Sequence, residues 1–446
     1  MYSIQRSKKI IITLGVAAVL AIGGGYVWYS RSHTTVNPSI YKTQAETKDA
    51  YVRFDMEAYD SIVTNYWQTP TEAGMAQLFQ QSVEKALALK GIVGASTTLA
   101  TQNRAGTAAM LARVFSVATS SVAKKELAVG ILQVALYNLP PAGRDELLSQ
   151  TQQVELRQQV SNINPTKDLY SDLGASAGAA IAEVNTAFAH KSAELAASSS
   201  PTAQVERAKV DYAHHVLTNA HTKLRYDMSQ IEPTVSGTVM GRTLYIYISK
   251  MSPTTLEEFQ DILSDPSNST PFDSMIIDMR GNIGGSLDDA AHFLALFVGT
   301  NQYAFDLYSA NTYNVVRTTV DKNPALARYH DIAILTDGMT QSTAEVLTAS
   351  LKRLHLAHVV GATTRGWGTV ENTFPMTTTT DASTTYALLL VRAITLRDDQ
   401  TPIQGRGVDP DVKIADSDWK SQLNNYFTSS SIIAALKKEA DQKPIQ

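Results

Sequence analysis

Ser342 is the residue of this chain best placed for covalent chemistry. It lies in Thr340-Gln341-Ser342-Thr343-Ala344-Glu345, just before a helical segment read from Thr343 to Leu354. A serine at a helix mouth presents its Oγ at the positive end of the helix dipole, which suits a nucleophile. The simpler reading is an N-cap, a position that serine favours. A second feature is the loop Gly281-Asn282-Ile283-Gly284-Gly285, which follows the apolar run Met275–Met279 and opens a helix near Leu287. Glycines let backbone N–H groups converge on an anion, either a phosphate or the oxyanion of an acyl intermediate. The spacing is not G-x-x-x-x-G-K-[ST], which excludes a phosphate-binding P-loop. A tight turn with no ligand is the plain alternative. Together, a glycine loop and a helix-mouth serine make the arrangement that acyl transfer needs.

Metal chemistry finds little support. Of His214, His215 and His221, only His214 and His221 could share a helix face, and no acidic third ligand has suitable spacing. No metal and no cofactor are expected.

The elements that must position these residues change character along the chain. Apolar residues recur at helical spacing through Phe54, Ala58 and Ile62, then Leu78, Val83 and Leu87. Residues 105–225 are rich in Ala, Gln and Leu, with breaks at Pro140-Pro141, Asn164-Pro165 and Ser198–Pro201. From about Val235, short β-rich runs (Thr243–Ser249, Met275–Met279, Asp331–Leu335, His358–Val360) alternate with helical segments. That alternation implies an α/β core with a mainly parallel sheet, closed by a strand at Tyr386–Arg392. In such a layer, loops at the carboxyl ends of neighbouring strands meet in one crevice. The expected organisation is an anchor over 1–30, a linker over 31–50, a helical domain over 51–234, a core over 235–415 and a peripheral helical tail over 416–446.

Composition narrows the partners. The formal net charge is −4, and no basic block follows the first residues, so nucleic acid is not an expected partner. The chain has no cysteine, which excludes disulfides, a thiol nucleophile and thiolate metal sites. Arg6, Lys8 and Lys9 precede an uncharged run from Ile10 to Tyr29. At ~1.5 Å per residue that run spans a ~30 Å hydrocarbon core. Tyr26, Trp28 and Tyr29 would lie in an interfacial belt. The basic flank predicts a single-pass anchor over residues 10–29, the N-terminus in the cytoplasm and the rest outside the cell. A cleaved signal peptide is the alternative.

Four segments, in order, resemble the C-terminal processing peptidases, or tail-specific proteases, of the ClpP/crotonase-like serine peptidase clan. Phe272–Leu287 is similar to their strand and N-x-G-G loop. Asp337–Leu351 is similar to their S-A-S-A-S-E-I segment, Val360–Phe374 to V-G-x-x-T-x-G-K-G-x-V-Q, and Ile403–Val412 to I-Q-G-x-G-I-x-P-D-I. The resemblance implies a ClpP/crotonase-like core that acts on protein or peptide substrates. It implies Ser342 as nucleophile, with an oxyanion hole from the Thr343 N–H and that of Gly284 or Gly285. It also implies a lysine base, but Trp367 stands at that place and Arg365 stays protonated, so Trp367 is expected to shape the pocket instead. Leu217–Tyr226 is similar to the L-x-D-x-H-T segment of tricorn-type relatives, which makes His221 the expected base. The tricorn-type orienting glutamate falls on Gln404, leaving Glu345 and Glu371 as substitutes. His221 and Thr243 are too close in sequence for the PDZ domain usual in the family. The expected function is a membrane-anchored serine endopeptidase. The alternative is a non-catalytic peptide-binding or scaffold protein with Trp367 as an apolar anchor.

Overall fold

The computed structural model describes residue 46 and residues 48–444, apart from 198, 266–271, 311, 382 and 398. The apolar run Ile10–Tyr29, and with it the expected anchor, lies outside the described residues. Among the described residues, no helix is long and apolar enough to cross a membrane.

The chain begins with helices α1 (Ala50–Asn65), α2 (Glu72–Lys90), α3 (Arg104–Ser116) and α4 (Ser121–Tyr137). Each starts at a side-chain cap, from Asp49, Thr71, Asn103 and Ser120 in turn, which satisfies amides that have no intrahelical carbonyl. Their apolar faces close on Phe54, Phe79, Leu111 and Ile131, all fully buried. A short strand, β1 (Glu146–Ser149), and α5 (Gln150–Val160) follow. Then come α6 (Leu169–Leu173), α7 (Ile181–Ala196), α8 (Pro201–Thr218) and α9 (Ala220–Ser229), around Leu169, Val210, Leu217 and Tyr226. The expected single helical domain is therefore two units, each with its own apolar centre.

The core continues through β2 (Val235–Met240), β3 (Thr243–Ile248), α10 (Thr255–Ser264), β4 (Ser274–Asp278) and α11 (Leu287–Val298). After the hairpin β5 (Tyr303–Ser309) and β6 (Thr312–Arg317) come β7 (Asp331–Thr336), α12 (Thr343–Arg353), β8 (His358–Gly361), β9 (Thr369–Pro375), β10 (Tyr386–Thr395) and β11 (Val412–Lys413). One six-stranded sheet has the order β11-β8-β7-β4-β3-β2 and is parallel except for the β2 edge. Every position of β3, β4 and β7 is buried, as expected for parallel strands covered on both faces. One face carries α10, α11 and α12.

The tail covers the other face and is not peripheral. Helices α13 (Trp419–Gln422) and α14 (Ser430–Glu439), with the turn between them, place Trp419, Leu423, Ile432 and Leu436 against Tyr245, Ile276 and Leu335. Arg280 donates to the carbonyls of Glu439 and Ala440, each at 3.1 Å.

A second sheet corrects the expectation of one closing strand. β10 pairs antiparallel with β9 along one edge, and with β1 and the end of β5 along the other. Its Leu388, Leu390 and Val391 sit in the α1–α4 core. The fold is thus a mixed α/β arrangement in which the helical region and the core share β10.

Candidate active site

The loops after β4 and β7 are stitched together at the carboxyl ends of their strands. The Gln341 N–H donates to the Asn282 carbonyl at 2.9 Å, and the Thr340 hydroxyl to the Met279 carbonyl at 2.9 Å. Asp337 Oδ1 accepts the Gly281 N–H at 3.0 Å. Between the end of β7 and α12 the chain turns sharply at Ser342, with φ 59° and ψ −126°. A non-glycine residue held there costs on the order of 1–3 kcal/mol, a strain found where geometry serves function. Ser342 occupies the N-cap position of α12 without a side-chain capping bond, so the N-cap reading does not account for its hydroxyl.

Gly284 explains the glycine requirement of the facing loop. Its φ is +84°, and a Cβ there would lie 2.7 Å from Ser342 Cβ. Its N–H is already donated to Asn282 Oδ1 at 2.8 Å. Of the two glycines expected to supply an oxyanion donor, Gly284 is engaged, which leaves Gly285. Thr343 is the first residue of α12, so its N–H has no intrahelical acceptor. The Thr343 hydroxyl donates to the Gly285 carbonyl at 2.9 Å, fixing that pair beside the serine.

Glu345 ties the serine to the third loop, residues 364–368. Its Oε2 accepts the N–H of Ser342 at 2.8 Å and of Trp367 at 2.7 Å. Its Oε1 accepts the Gly366 N–H at 2.7 Å and the Thr364 hydroxyl. Burial raises its pKa, and these donors oppose the rise. Glu345 therefore positions the backbone rather than orienting a base. Gln404 also holds backbone in place. Its Oε1 accepts the Gly368 N–H at 3.0 Å, and it does not line the cavity at Ser342.

Ser342 is 3 % exposed. It opens into a cavity of about 10 Å³, lined also by Leu287, Thr343, Trp367 and Thr369. That is barely room for one water. Trp367 is buried and lines this cavity. No lysine or histidine lines the cavity.

His221 is not brought to Ser342. Its ring is 66 % exposed and lies 3.6 Å from Asp261 on α10. That helix starts at the carboxyl end of β3 and runs back toward the start of the parallel strand β4. Ile262, next to Asp261, abuts Gly237 on β2. His221 thus sits on the side of the β2 edge and does not line the cavity at Ser342.

Sequence reasoning missed Arg144, Asp145 and Thr369, which interact with Glu371, a residue it named only as a possible orienting acid. Arg144, just before β1, places its Cζ 3.1 Å from the Trp367 ring centroid. Burial lowers its pKa to about 10. Asp145 accepts the Val391 N–H at 2.7 Å, and burial raises its pKa to about 8. Glu371 is fully buried and accepts the Thr369 hydroxyl at 2.5 Å. Burial raises its pKa to about 7, against the Thr369 bond, the Arg144 charge and the nearby Trp367 indole. A local signal existed only for Thr369. It stands two residues before Glu371 on a strand and so shares its face.

The sequence profile of peptidase family S41 matches residues 242–414. This segment is a peptidase family S41 domain. It spans the glycine loop, Ser342 and the 364–368 loop. A probable CtpA-like serine protease of Staphylococcus aureus is 28% identical over 183 residues, covering 41% of this chain and 35% of that protein. One from Staphylococcus haemolyticus is 28% identical over 148 residues, covering 33% and 28%. The chain thus spans about a third of the length of these curated relatives. Among solved structures, the photosystem II D1 C-terminal processing protease is 12% identical, with a TM-score of 0.47, covering 90% of this chain and 99% of that one.

Proposed function

We propose that this S41-domain protein is a serine endopeptidase of the C-terminal processing type, anchored by residues 10–29 with its catalytic domain outside the cell. The observation that carries the reading is the strained backbone of Ser342, which frees its hydroxyl at the start of α12 beside Gly284. Ser342 Oγ attacks a peptide carbonyl, and the oxyanion is held by the N–H groups of Thr343 and Gly285 at the positive end of the helix. The acyl-enzyme is then hydrolysed by water. Cleavage of an unfolded protein substrate tests this reading. Wild type should release fragments, and Ser342→Ala should release none.

One observation favours a second reading. A cavity one water wide, lined by Trp367 with Arg144 stacked over that ring, suits a peptidase fold that binds without cutting. Retention of the unfolded protein with no cleavage by wild type would select it.

A further inference from the structure

Glu371 has two unlike oxygens. Oε1 accepts the Thr369 hydroxyl at 2.5 Å, while Oε2 is buried with no hydrogen-bond partner among the described residues. A buried carboxylate oxygen left without a donor costs free energy, so this arrangement calls for an explanation. Thr369 also lines the cavity into which Ser342 opens. That cavity, about 10 Å³, has room for no more than about one water.

We propose that Glu371 is the proton acceptor for Ser342, with the Thr369 hydroxyl passing the proton between them. The inference rests on Ser342 being the nucleophile. As Ser342 Oγ bonds to the substrate carbonyl carbon, its proton moves to Thr369 Oγ1. The proton of Thr369 moves to Glu371 Oε1, leaving a neutral carboxyl and an oxyanion on the substrate. On collapse the C–N bond breaks, and the leaving amine takes the proton back along the same path. Water entering the acyl-enzyme gives its proton to Glu371 in the same way, and Ser342 recovers it as the acyl bond breaks.

The surroundings suit a base that works near neutral pH. Burial makes the carboxylate reluctant to ionise. The charge of Arg144 and the Trp367 indole, whose Nε1 has no well-formed acceptor, favour ionisation. Asp145 adds a second carboxyl that interacts with the Glu371 charge. The charges of Arg365 and Glu345 also act on Arg144. A tryptophan at position 367 is then compatible with turnover, because the base approaches along β9.

The test is the rate at which a fluorophosphonate probe labels Ser342, measured against pH in proteins shown to be folded by circular dichroism. Wild-type labelling should rise with pH through about 7. Glu371→Gln should slow it about a hundredfold and flatten the pH profile. Thr369→Val should slow it similarly, while Thr369→Ser should keep the rate and the profile. Glu371→Gln with the wild-type rate and profile would overturn the proposal. If Glu371→Gln does not fold, the two Thr369 variants decide, and equal labelling in Thr369→Val and Thr369→Ser overturns it. A folded wild type that is not labelled removes the nucleophile reading, and the proposal with it.

Discussion

Arg144 lies over Trp367, its Cζ 3.1 Å from the ring centroid, and joins the helical region to the loop that lines the cavity at Ser342. Such a stack contributes about 0.5–2 kcal/mol. Trp367 lines the cavity of about 10 Å³ into which Ser342 opens, so releasing its loop should widen the approach to Ser342. Arg144→Ala should raise the rate of fluorophosphonate labelling at Ser342 several-fold by releasing Trp367, with a small loss of thermal stability. An unchanged or lower rate in a folded Arg144→Ala variant would show that the stack does not hold the site shut.

Glu345 accepts three backbone amides and one hydroxyl from buried positions. Glu345→Ala leaves those donors without an acceptor, at about 1–3 kcal/mol for each that water cannot reach. Denaturant unfolding should show a loss of several kcal/mol, and labelling of Ser342 should fall even where the protein is mostly folded. A loss below about 1 kcal/mol would mean that the loops are held by other contacts.

Gly284 faces Ser342 at backbone distance, with φ +84°. Gly284→Ala brings a methyl to 2.7 Å from Ser342 Cβ in a backbone conformation that alanine resists. Labelling and proteolysis should both be abolished, and the melting temperature should fall. Normal labelling in this variant would show that the two loops separate in solution.

Burial of Glu371 also sets a pH dependence of stability. Its pKa is raised from 4.5 to about 7 by burial, so the folded state favours the neutral carboxyl. That contribution is fully present below about pH 4.5 and is lost as pH rises through about 7. The loss is on the order of 3 kcal/mol. Glu371→Gln removes the ionisation, so relative to wild type it should be more stable at pH 8 than at pH 4.5. Equal differences at the two pH values, by denaturant titration, would contradict burial of an ionisable Glu371.

His221 separates the sequence expectation from the structure. With its ring exposed against Asp261, His221→Ala should label within about twofold of wild type, as surface changes usually do. A collapse of labelling would mean that α9 swings to the crevice in the working protein.

What the sequence made legible was local. Ser342, the glycine loop and the alternation of strands and helices all lie in short contiguous stretches, and the structure brings them to one crevice. The uncertain part was long-range. Arg144 and Asp145 follow the Pro140-Pro141 turn in a region that reads as helical packing, and only the pairing of β1 with β10 carries them to Trp367 and Val391. His221 failed for the same reason, because a similar local segment says nothing about where α9 packs. The tail read as peripheral because α14 is short and amphipathic, and its apolar stripe gives no sign that the free face of the parallel sheet needs it. The second sheet was hidden because β10 pairs with strands distant in sequence as well as with its hairpin partner.

Whether Ser342 is an activated nucleophile is tested most directly by fluorophosphonate labelling of the purified protein, followed by intact mass and peptide mapping, beside Ser342→Ala. One adduct is expected, on Ser342, and it should disappear in the variant. A folded wild type that takes up no probe, or an adduct that persists in Ser342→Ala, would contradict that role.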